Sequence, residues 1–241
     1  MIDRGKILAI IPARGGSKRL PKKNILDLAG KPMIAWTIES ALGSEYIDRI
    51  VVSTDDIEIA EVSKKYGIKD PFMRPEELSS DTASSVEVVE HVVDVLYKQG
   101  EYYDYILLLQ PTSPLRDSYH IDKAIELLKT KQSKGVVSFC RISHPVEWAY
   151  FIKSDLIINH SDNKKESKNQ NFPERYIPNG AIYIVNMSDF LKERSFFLSS
   201  LCHAYIMDQE SSVDIDNMID YKFANFLKLE FIKNEIQKNS G

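Results

Sequence analysis

The chain is short of cysteine and of long apolar segments. Its two cysteines, Cys140 and Cys202, lack metal-ligand spacing and are too few for a disulfide framework, which favours a reducing, cytoplasmic compartment. The first apolar run, residues 7–11, is short and is followed by basic residues, so it is not typical of a signal peptide. No run approaches the roughly 18 apolar residues of a membrane-spanning helix, and no association with a membrane is expected.

An excess of positive charge is also lacking. The chain has 31 lysines and arginines against 35 aspartates and glutamates, a formal net charge of −4 at pH 7. Proteins that bind nucleic acid generally carry a basic field, so this balance argues against nucleic acid as a partner. Any anion must therefore be bound by a local cluster of cations.

Apolar segments alternate with helical patterns along the 241 residues, 43% of which are hydrophobic. This pattern is typical of a single α/β domain, residues 1–241, with a mainly parallel sheet. Strands are predicted at residues 6–12, 49–54, 68–73, 105–109, 135–140, 181–185 and 203–207. Helices are predicted at residues 31–42, 57–66, 84–97, 121–129 and 217–237. The polar, weakly periodic stretch 141–178 is predicted to be a protruding insertion.

The segment after the first predicted strand is rich in glycine and in cations. Gly15 and Gly16 allow backbone angles and close approaches that a Cβ atom would block, and successive N–H groups there can surround phosphate oxygens. Ligands of open α/β sheets bind at the carboxyl ends of strands, so we predict a phosphate-binding loop rather than a solvated basic turn. Neither the Walker A pattern nor GxGxxG is present. Five cations fall within ten residues: Arg14, Lys18, Arg19, Lys22 and Lys23.

Several motifs follow one another in the order and spacing of a known family. They are Ala-Arg-Gly-Gly-Ser-Lys-x-x-Pro-x-Lys-Asn at 13–24, Val-Ser-Thr-Asp at 52–55, Asp-Thr-Ala-Ser-Ser at 81–85, Gln-Pro-Thr-Ser-Pro-Leu-Arg at 110–116, Asn-Gly-Ala-Ile-Tyr at 179–183 and Asp-Ile-Asp at 214–216. From about residue 6 to 226 the chain resembles the acylneuraminate cytidylyltransferases. The resemblance implies a Rossmann-like nucleotidyltransferase fold, transfer of CMP from CTP to an acidic sugar with Mg²⁺, and release of pyrophosphate. It also implies a homodimer, with the insertion contributing to dimerisation and to the sugar site.

The resemblance assigns a nucleotide site. Arg14, Lys18 and Lys23 match the catalytic cations that contact the triphosphate and the charge developing on it. Arg74 and Ser85 match the cytidine pocket, although Ser85 could instead satisfy backbone groups at the start of its helix. The other loop residues of the predicted nucleotide site are Ala13, Gly15, Gly16, Ser17 and Asn24.

Four aspartates are candidates for metal binding or for helix capping. Asp214 and Asp216 alternate by two, so on an extended segment both carboxylates face one side and suit Mg²⁺. The resemblance favours the metal, whereas the alternative is that one of them begins the last helix. Asp55 and Asp56 follow a predicted strand and could equally cap the helix after them.

The sugar site is predicted at Gln110 and Tyr183, which match sugar-contacting positions of the family. Gln110 could instead satisfy the backbone at a strand end, and a lone strand tyrosine is more often a packing residue. Arg116 is a weaker candidate, because it can simply anchor the start of the next helix.

The sugar-facing part of the chain departs from the family pattern. Three positions that are often basic carry other residues, so Arg175, Gln110 or a dimer partner must bind the sugar carboxylate. We therefore predict a nonulosonic acid other than N-acetylneuraminate, such as legionaminate. The three departures are Glu147, Asn169 and Ile177.

Two other functions stay open: cytidylyl transfer to 3-deoxy-manno-octulosonate, and a non-catalytic nucleotide-binding module.

Overall fold

A seven-stranded sheet forms the centre of the computed structural model, which describes residues 5–80, 82–159 and 173–239. The strands are β1 (Ile7–Pro12), β2 (Asp27–Leu28), β3 (Lys31–Pro32), β4 (Arg49–Thr54), β5 (Phe72–Met73), β6 (Tyr105–Leu108), β7 (Gly135–Arg141), β8 (Tyr150–Lys153), β9 (Leu156–Asn159), β10 (Tyr176–Asn186) and β11 (Cys202–Met207). The central sheet has the order β11-β7-β10-β6-β1-β4-β5. Only β10 runs antiparallel to its neighbours in this sheet, so the predicted α/β fold with a mainly parallel sheet is confirmed.

Helices cover both faces of the sheet, because alternate residues of its buried strands point to opposite sides. The helices are α1 (Met33–Leu42), α2 (Ile57–Lys65), α3 (Ser85–Lys98), α4 (Ser118–Thr130), α5 (Met187–Glu193) and α6 (Met218–Asn239). On β1, Ile7, Ala9 and Ile11 share a core cluster with residues of α1, α2 and α4. Leu8 and Ile10 share the opposite cluster with residues of α3 and α5.

A third apolar cluster attaches α6 to the predicted phosphate loop. Ala224 and Leu227 of α6 pack with Leu20 of the loop and with Ile215. The same cluster includes Leu115, in the segment between β6 and α4. The last helix therefore braces the loops at one end of the sheet. In the described part of the chain, no helix is long and apolar enough to cross a membrane.

Several elements differ from the sequence predictions; for example, α4 begins at Ser118 rather than at residue 121. The strand predicted at 68–73 is reduced to Phe72–Met73, since the chain bends before it and Pro71 has no N–H to donate to a sheet. The first helix begins at Met33 rather than at residue 31, because Lys31–Pro32 pairs with β2. Helix α5 was not predicted, although Asn186 accepts hydrogen bonds from the N–H groups of Ser188 and Asp189 as a regular N-cap.

The predicted insertion contains a separate two-stranded sheet. Strands β8 and β9 pair only with each other in the described chain, and residues 160–172, including Asn169, lie outside the described residues. Strand β10 begins inside the stretch predicted as an insertion, because Tyr176–Pro178 pairs with the end of β7. The protrusion of residues 141–178 and their contribution to dimerisation stay predictions.

Candidate active site

The glycine-rich loop leaves β1 at its carboxyl end and is held there by its neighbours. The Ala13 N–H donates to the Ser53 carbonyl of β4 at 2.9 Å, and the Gly15 N–H donates to Asp55 Oδ1 at 3.0 Å. From within the loop, Asn24 Nδ2 donates to the Arg14 carbonyl at 2.8 Å. Asn24 is nearly buried, so its amide shapes the loop as well as facing the adjacent cleft.

The two loop glycines have different surroundings. A Cβ atom on Gly15 would lie 2.5 Å from Asp56 Oδ2, whereas one on Gly16 would meet nothing within 4 Å. Neither glycine has a positive φ angle, so the expected need for unusual backbone angles is not met here. Gly15 is required by its close approach to Asp56.

Asp55 and Asp56 have different functions, and only the capping function of Asp56 is one that the sequence offered. Asp56 Oδ1 accepts from the Glu58 and Ile59 N–H groups at 2.7 and 3.2 Å and caps α2. Asp55 instead braces the loop through Gly15 and lies 3.7 Å from Arg74 Nη2. Sequence reasoning did not assign this bracing function; the available signal was an acidic pair directly after a buried strand.

A first cleft of about 320 Å³ opens beside this loop. Of the predicted nucleotide-site residues, Ala13, Gly15, Gly16 and Lys18 are absent from its lining, and Ala13 is fully buried. The structure therefore brings together nine of the predicted site residues: Arg14, Ser17, Lys23, Asn24, Arg74, Ser85, Gln110, Asp214 and Asp216.

Arg14, Arg74 and the N-terminus of α3 contribute to the lining of the first cleft. Arg74 is 7% exposed and its Nε donates to Ser79 Oγ at 3.0 Å. Burial lowers the Arg74 pKa, nearby Arg14 adds to this and Asp55 opposes it. Ser84 caps α3 in a capping box, so Ser85 is not the capping residue and its side chain lines the cleft. This part of the cleft carries concentrated positive charge, which suits an anionic ligand.

An acidic segment also lines the first cleft. The Ile215 N–H donates to the Thr112 carbonyl at 2.8 Å, which places Asp214 and Asp216 on either side of it in the cleft. Lys23 Nζ reaches the Ile215 carbonyl at 2.7 Å and Asp216 Oδ1 at 3.4 Å. Burial raises the Asp214 pKa; a hydrogen bond from Thr112 lowers it, and the charge of Asp216 raises it further.

The helix-capping alternative is wrong for both of these aspartates. Asn217 Oδ1 accepts from the Ile219 and Asp220 N–H groups at 2.8 and 3.2 Å, so Asn217 is the residue that caps α6. In residues 5–80, 82–159 and 173–239, no group of three or more His, Cys, Asp or Glu side chains forms a metal cage. Two carboxylates in an open cleft nevertheless fit Mg²⁺, which commonly takes one or two carboxylates and completes its shell with phosphate and water oxygens.

A second cleft, of about 840 Å³, lies beside the first. Gln110 and Asp214 line both clefts, and Tyr183 lines the second. The ring of Tyr183 lies 5.7 Å from that of Phe196, so this tyrosine also packs, as the alternative interpretation proposed. Arg175 lines neither cleft.

A cation at the second cleft is a residue that sequence reasoning did not select. Arg141, at the end of β7, lines the cleft and its Nη2 lies 3.2 Å from Glu174. Gln209 Nε2 donates to Ser143 Oγ at 3.2 Å on the same rim. Ile177, one of the departures from the family pattern, is also a lining residue and is 56% exposed. Arg141 was not recognisable from sequence, because it belongs to no motif and reaches the cleft only through the pairing of β7 with β10.

Comparison with known sequences identifies the family. Residues 8–239 match the family described as "Cytidylyltransferase". The chain belongs to this family. It is 38% identical over 223 residues to a pseudaminic acid cytidylyltransferase of Campylobacter jejuni, covering 92% of this chain and 96% of that protein. It is 40% identical over 222 residues to a CMP-N,N'-diacetyllegionaminic acid synthase of Legionella pneumophila, covering 90% and 93% of the two chains.

A third relative is an N-acylneuraminate cytidylyltransferase of Escherichia coli, 42% identical over 224 residues. The match covers 92% of this chain and 52% of that protein, so the chain spans about half of this relative's length. The sequence resemblance to acylneuraminate-type cytidylyltransferases is thus confirmed, and the chain is an enzyme of that type.

Solved structures share the fold at lower identity. A CMP:2-keto-3-deoxy-manno-octonic acid synthetase complexed with CTP superposes with a TM-score of 0.67 at 19% identity, covering 93% of this chain and 99% of that one. A 4-diphosphocytidyl-2C-methyl-D-erythritol synthase superposes with a TM-score of 0.65 at 14% identity, covering 92% and 99%. The nucleotidyltransferase fold is therefore confirmed.

Proposed function

We propose that this cytidylyltransferase transfers CMP from CTP to the anomeric hydroxyl of a nonulosonic acid and releases pyrophosphate. The observation that carries the proposal is that two clefts meet at Gln110 and Asp214. One cleft is lined by the phosphate loop and the other by polar side chains of β10 and its neighbours. Relatives that are 38–42% identical to nearly the whole chain are named for pseudaminic, N-acylneuraminic or legionaminic acid. This supports a nonulosonic acid over the octulosonate alternative.

CTP occupies the first cleft in this proposal. The cytidine lies against Arg74 and Ser85, whose guanidinium and hydroxyl groups supply hydrogen-bond donors. The phosphates lie along the loop, where Arg14 and Lys23 neutralise their charge. Lys18 is exposed on the same loop and reaches the phosphates from the outer side.

Asp214 and Asp216 hold Mg²⁺ in this proposal. The ion supplies charge neutralisation on the triphosphate and lowers the pKa of the attacking hydroxyl. Lys23 contacts Asp216 at 3.4 Å, so it orients that carboxylate next to the phosphates. Partial desolvation in the cleft raises the Asp214 pKa, and a nearby cation would offset this cost to its charged form.

The reaction is an in-line displacement at the α-phosphorus. The anomeric oxygen forms the new P–O bond, the bond to the bridging oxygen of the β-phosphate breaks, and the hydroxyl proton leaves to solvent. Positioning and charge stabilisation supply the catalysis, as in other phosphoryl transfers. Gln110 lies where the two clefts join and orients the acceptor.

Pyrophosphate release tests the proposal directly. The enzyme is mixed with each of the four nucleoside triphosphates and a panel of acidic sugars that includes nonulosonic acids and 3-deoxy-manno-octulosonate. Release is expected only with CTP and a nonulosonic acid. Release with the octulosonate alone would support the rival acceptor, and CTP binding without release for any sugar would support a non-catalytic nucleotide-binding module.

We predict a preference for a nonulosonic acid other than N-acetylneuraminate. Glu147 and Ile177 replace residues that are often basic in the family, and a site lacking a matching polar group can reject a substrate strongly. Comparing kcat/KM for N-acetylneuraminate and legionaminate checks this preference. A clear preference for N-acetylneuraminate would show that these departures are neutral for substrate choice.

A cytoplasmic homodimer completes the proposal. Tyr150, Phe151 and Ile152 of β8 are 54–66% exposed, and Trp148 beside them is 59% exposed. A patch of this kind is typical of an interface. Light scattering on the purified enzyme is expected to give twice the mass of the chain, and a monomer at micromolar concentration would contradict the dimer.

A further inference from the structure

Arg116 is buried without a carboxylate partner. Its side chain is 0% exposed, and within the described residues it forms no ion pair. Burial lowers its pKa to about 10, with the neighbouring Asp117 opposing the shift. Burying an unpaired cation is costly, and apolar residues of similar volume are often at least as stabilising at such positions. Stability alone therefore does not account for an arginine here.

The guanidinium connects three separate parts of the fold. Arg116 Nη2 donates to Thr37 Oγ1 of α1 at 2.9 Å and to the Gln110 carbonyl at 3.5 Å. Its Nε donates to the Ala181 carbonyl of β10 at 3.3 Å. The backbone of Arg116 is anchored as well, because Ser40 Oγ donates to its carbonyl at 2.9 Å. A planar group with donors on several nitrogens can hold several acceptors in a defined geometry, which lysine cannot do.

Two of these acceptors belong to segments that meet in the lining of the second cleft. Gln110 and Gly180 both line it, and Ala181 follows Gly180 directly. The two segments are closely packed, since a Cβ atom on Gly180 would lie only 2.9 Å from Gln110 Oε1. A shift of either segment would move the Gln110 amide relative to the cleft, and both backbones are tied to the same guanidinium.

We propose that Arg116 is a positioning residue for the acceptor, which holds Gln110 and the Gly180–Ala181 turn in the register that shapes the second cleft. The inference rests on the proposed function in taking the second cleft as the acceptor site. Arg116 acts through Gln110 and does not touch the substrate. Gln110 lines both clefts, but most of the first cleft is lined by the phosphate loop, the segment before α3 and α3 itself, so CTP binding should depend on Arg116 much less than acceptor binding does.

Three variants test this function: Arg116→Met, Arg116→Lys and Thr37→Val. Each is measured for its urea midpoint, its Kd for CTP and its KM for the acceptor. In Arg116→Met, acceptor KM should rise on the order of 10- to 100-fold, the scale on which small displacements act, while the CTP Kd stays within about twofold. Arg116→Lys should show the same loss, because an ammonium has its donors on a single atom and cannot reproduce the planar spacing of Nε and Nη2. Thr37→Val removes only one of the bonds and should change acceptor KM less.

Several outcomes would overturn the inference. An unchanged acceptor KM in folded Arg116→Met, or recovery in Arg116→Lys, would remove the geometric function of the guanidinium. A parallel rise of CTP Kd and acceptor KM would indicate a general structural function.

Amide hydrogen exchange separates this inference from the proposed function, because it needs no turnover. Exchange in Arg116→Met should accelerate at residues 110–115 and 179–182 together, and much less at residues 13–24. If wild-type enzyme releases no pyrophosphate with any sugar, the proposed function fails, whereas the exchange result still decides the positioning function. Unchanged exchange at both segments would contradict it.

Discussion

Single side chains around the phosphate loop fall into two groups. Asn24 and Asp55 bind the loop backbone and fix its path. Lys23 instead directs its ammonium group into the first cleft, toward Asp216. The residues that hold the loop are as important for the site as those that face it, because preorganised charges stabilise a reaction only when their positions are fixed.

The two loop glycines give a matched test at the residue scale. Gly15→Ala would place a Cβ atom 2.5 Å from the Asp56 carboxylate, and such overpacking costs about 1–3 kcal/mol. Gly16→Ala meets nothing within 4 Å and should leave the thermal midpoint nearly unchanged. If phosphate approaches the backbone of Gly16, the same variant raises the KM for CTP. Thermal melts measure the stability of the two variants, and kinetics with CTP measure the KM. Equal destabilisation of Gly15→Ala and Gly16→Ala would contradict the packing argument.

Asp216→Asn tests the proposed Mg²⁺ site. Removing one carboxylate charge should move the Mg²⁺ midpoint for activity to higher concentration, and folding should change little because Asn217 caps α6. Asn217→Ala is the matched control: it should lose about 1 kcal/mol of stability through the missing cap and keep the Mg²⁺ midpoint. An unchanged Mg²⁺ titration in Asp216→Asn would exclude this carboxylate from metal binding.

At the scale of elements, β10 does the most to shape the second cleft. Its pairing with β7 is interrupted between Pro178 and Tyr183, and Gly180 in this interruption has a φ of 78°. A bulge of this kind bends a strand and redirects side chains, and it is frequent beside active sites. Here it brings the backbone of Gly180 against Gln110 at the junction of the two clefts.

Gly180→Ala separates backbone strain from the contact with Gln110. Gly100 is the control, because its φ is 81° and an added Cβ atom there meets nothing within 4 Å. Both variants should lose about 1 kcal/mol from the left-handed backbone conformation. Only Gly180→Ala should raise the acceptor KM, since the Gln110 amide has to move, and the KM for CTP should change much less because Gln110 is one of many residues lining the first cleft. Similar kinetics in the two variants would show that Gln110 does not contact the acceptor.

At the scale of the whole molecule, α6 joins the C-terminal part of the chain to the loop between β6 and α4. Lys228 Nζ donates to the Pro114 carbonyl at 3.3 Å and lies 4.0 Å from the ring centroid of Trp36. Burial lowers the pKa of Lys228 to about 8, with Asp117 opposing the shift. The charged form of this lysine is therefore costly in the folded protein.

This lysine predicts how stability changes with pH. The unfolded chain keeps the Lys228 proton up to the ordinary lysine pKa of 10.5, whereas the folded chain loses it near pH 8. Between these values the unfolded state binds more protons, so the contribution of this group to the free energy of unfolding increases as pH rises. Relative to Lys228→Met, wild type should gain in urea midpoint between pH 7.5 and about 9.5. A constant difference over this range would contradict the lowered pKa.

The sequence alone determined the fold class and selected nine of the residues that line the first cleft. Buried apolar runs alternating with amphipathic helices require a covered parallel sheet, and the loop at 13–24 follows the strand end where such sheets bind ligands. Arg14, Lys23 and Arg74, which the resemblance selected, lie together at one cleft. These features can be predicted from the sequence because each depends on residues that are close together in the chain and on motifs of consecutive residues.

Only the tertiary structure decided which residues hold the site together. Asp55, Arg116 and Arg141 act on segments about 40, 65 and 33 residues away, through Gly15, Ala181 and Glu174. The same holds for Asn217, which displaced Asp214 and Asp216 as the helix cap. The residues next to an Asp, Arg or Asn in the sequence do not show whether its side chain faces solvent, a strand end or a cleft. Its partner is set by the crossing of distant strands and helices, which a one-dimensional pattern does not contain.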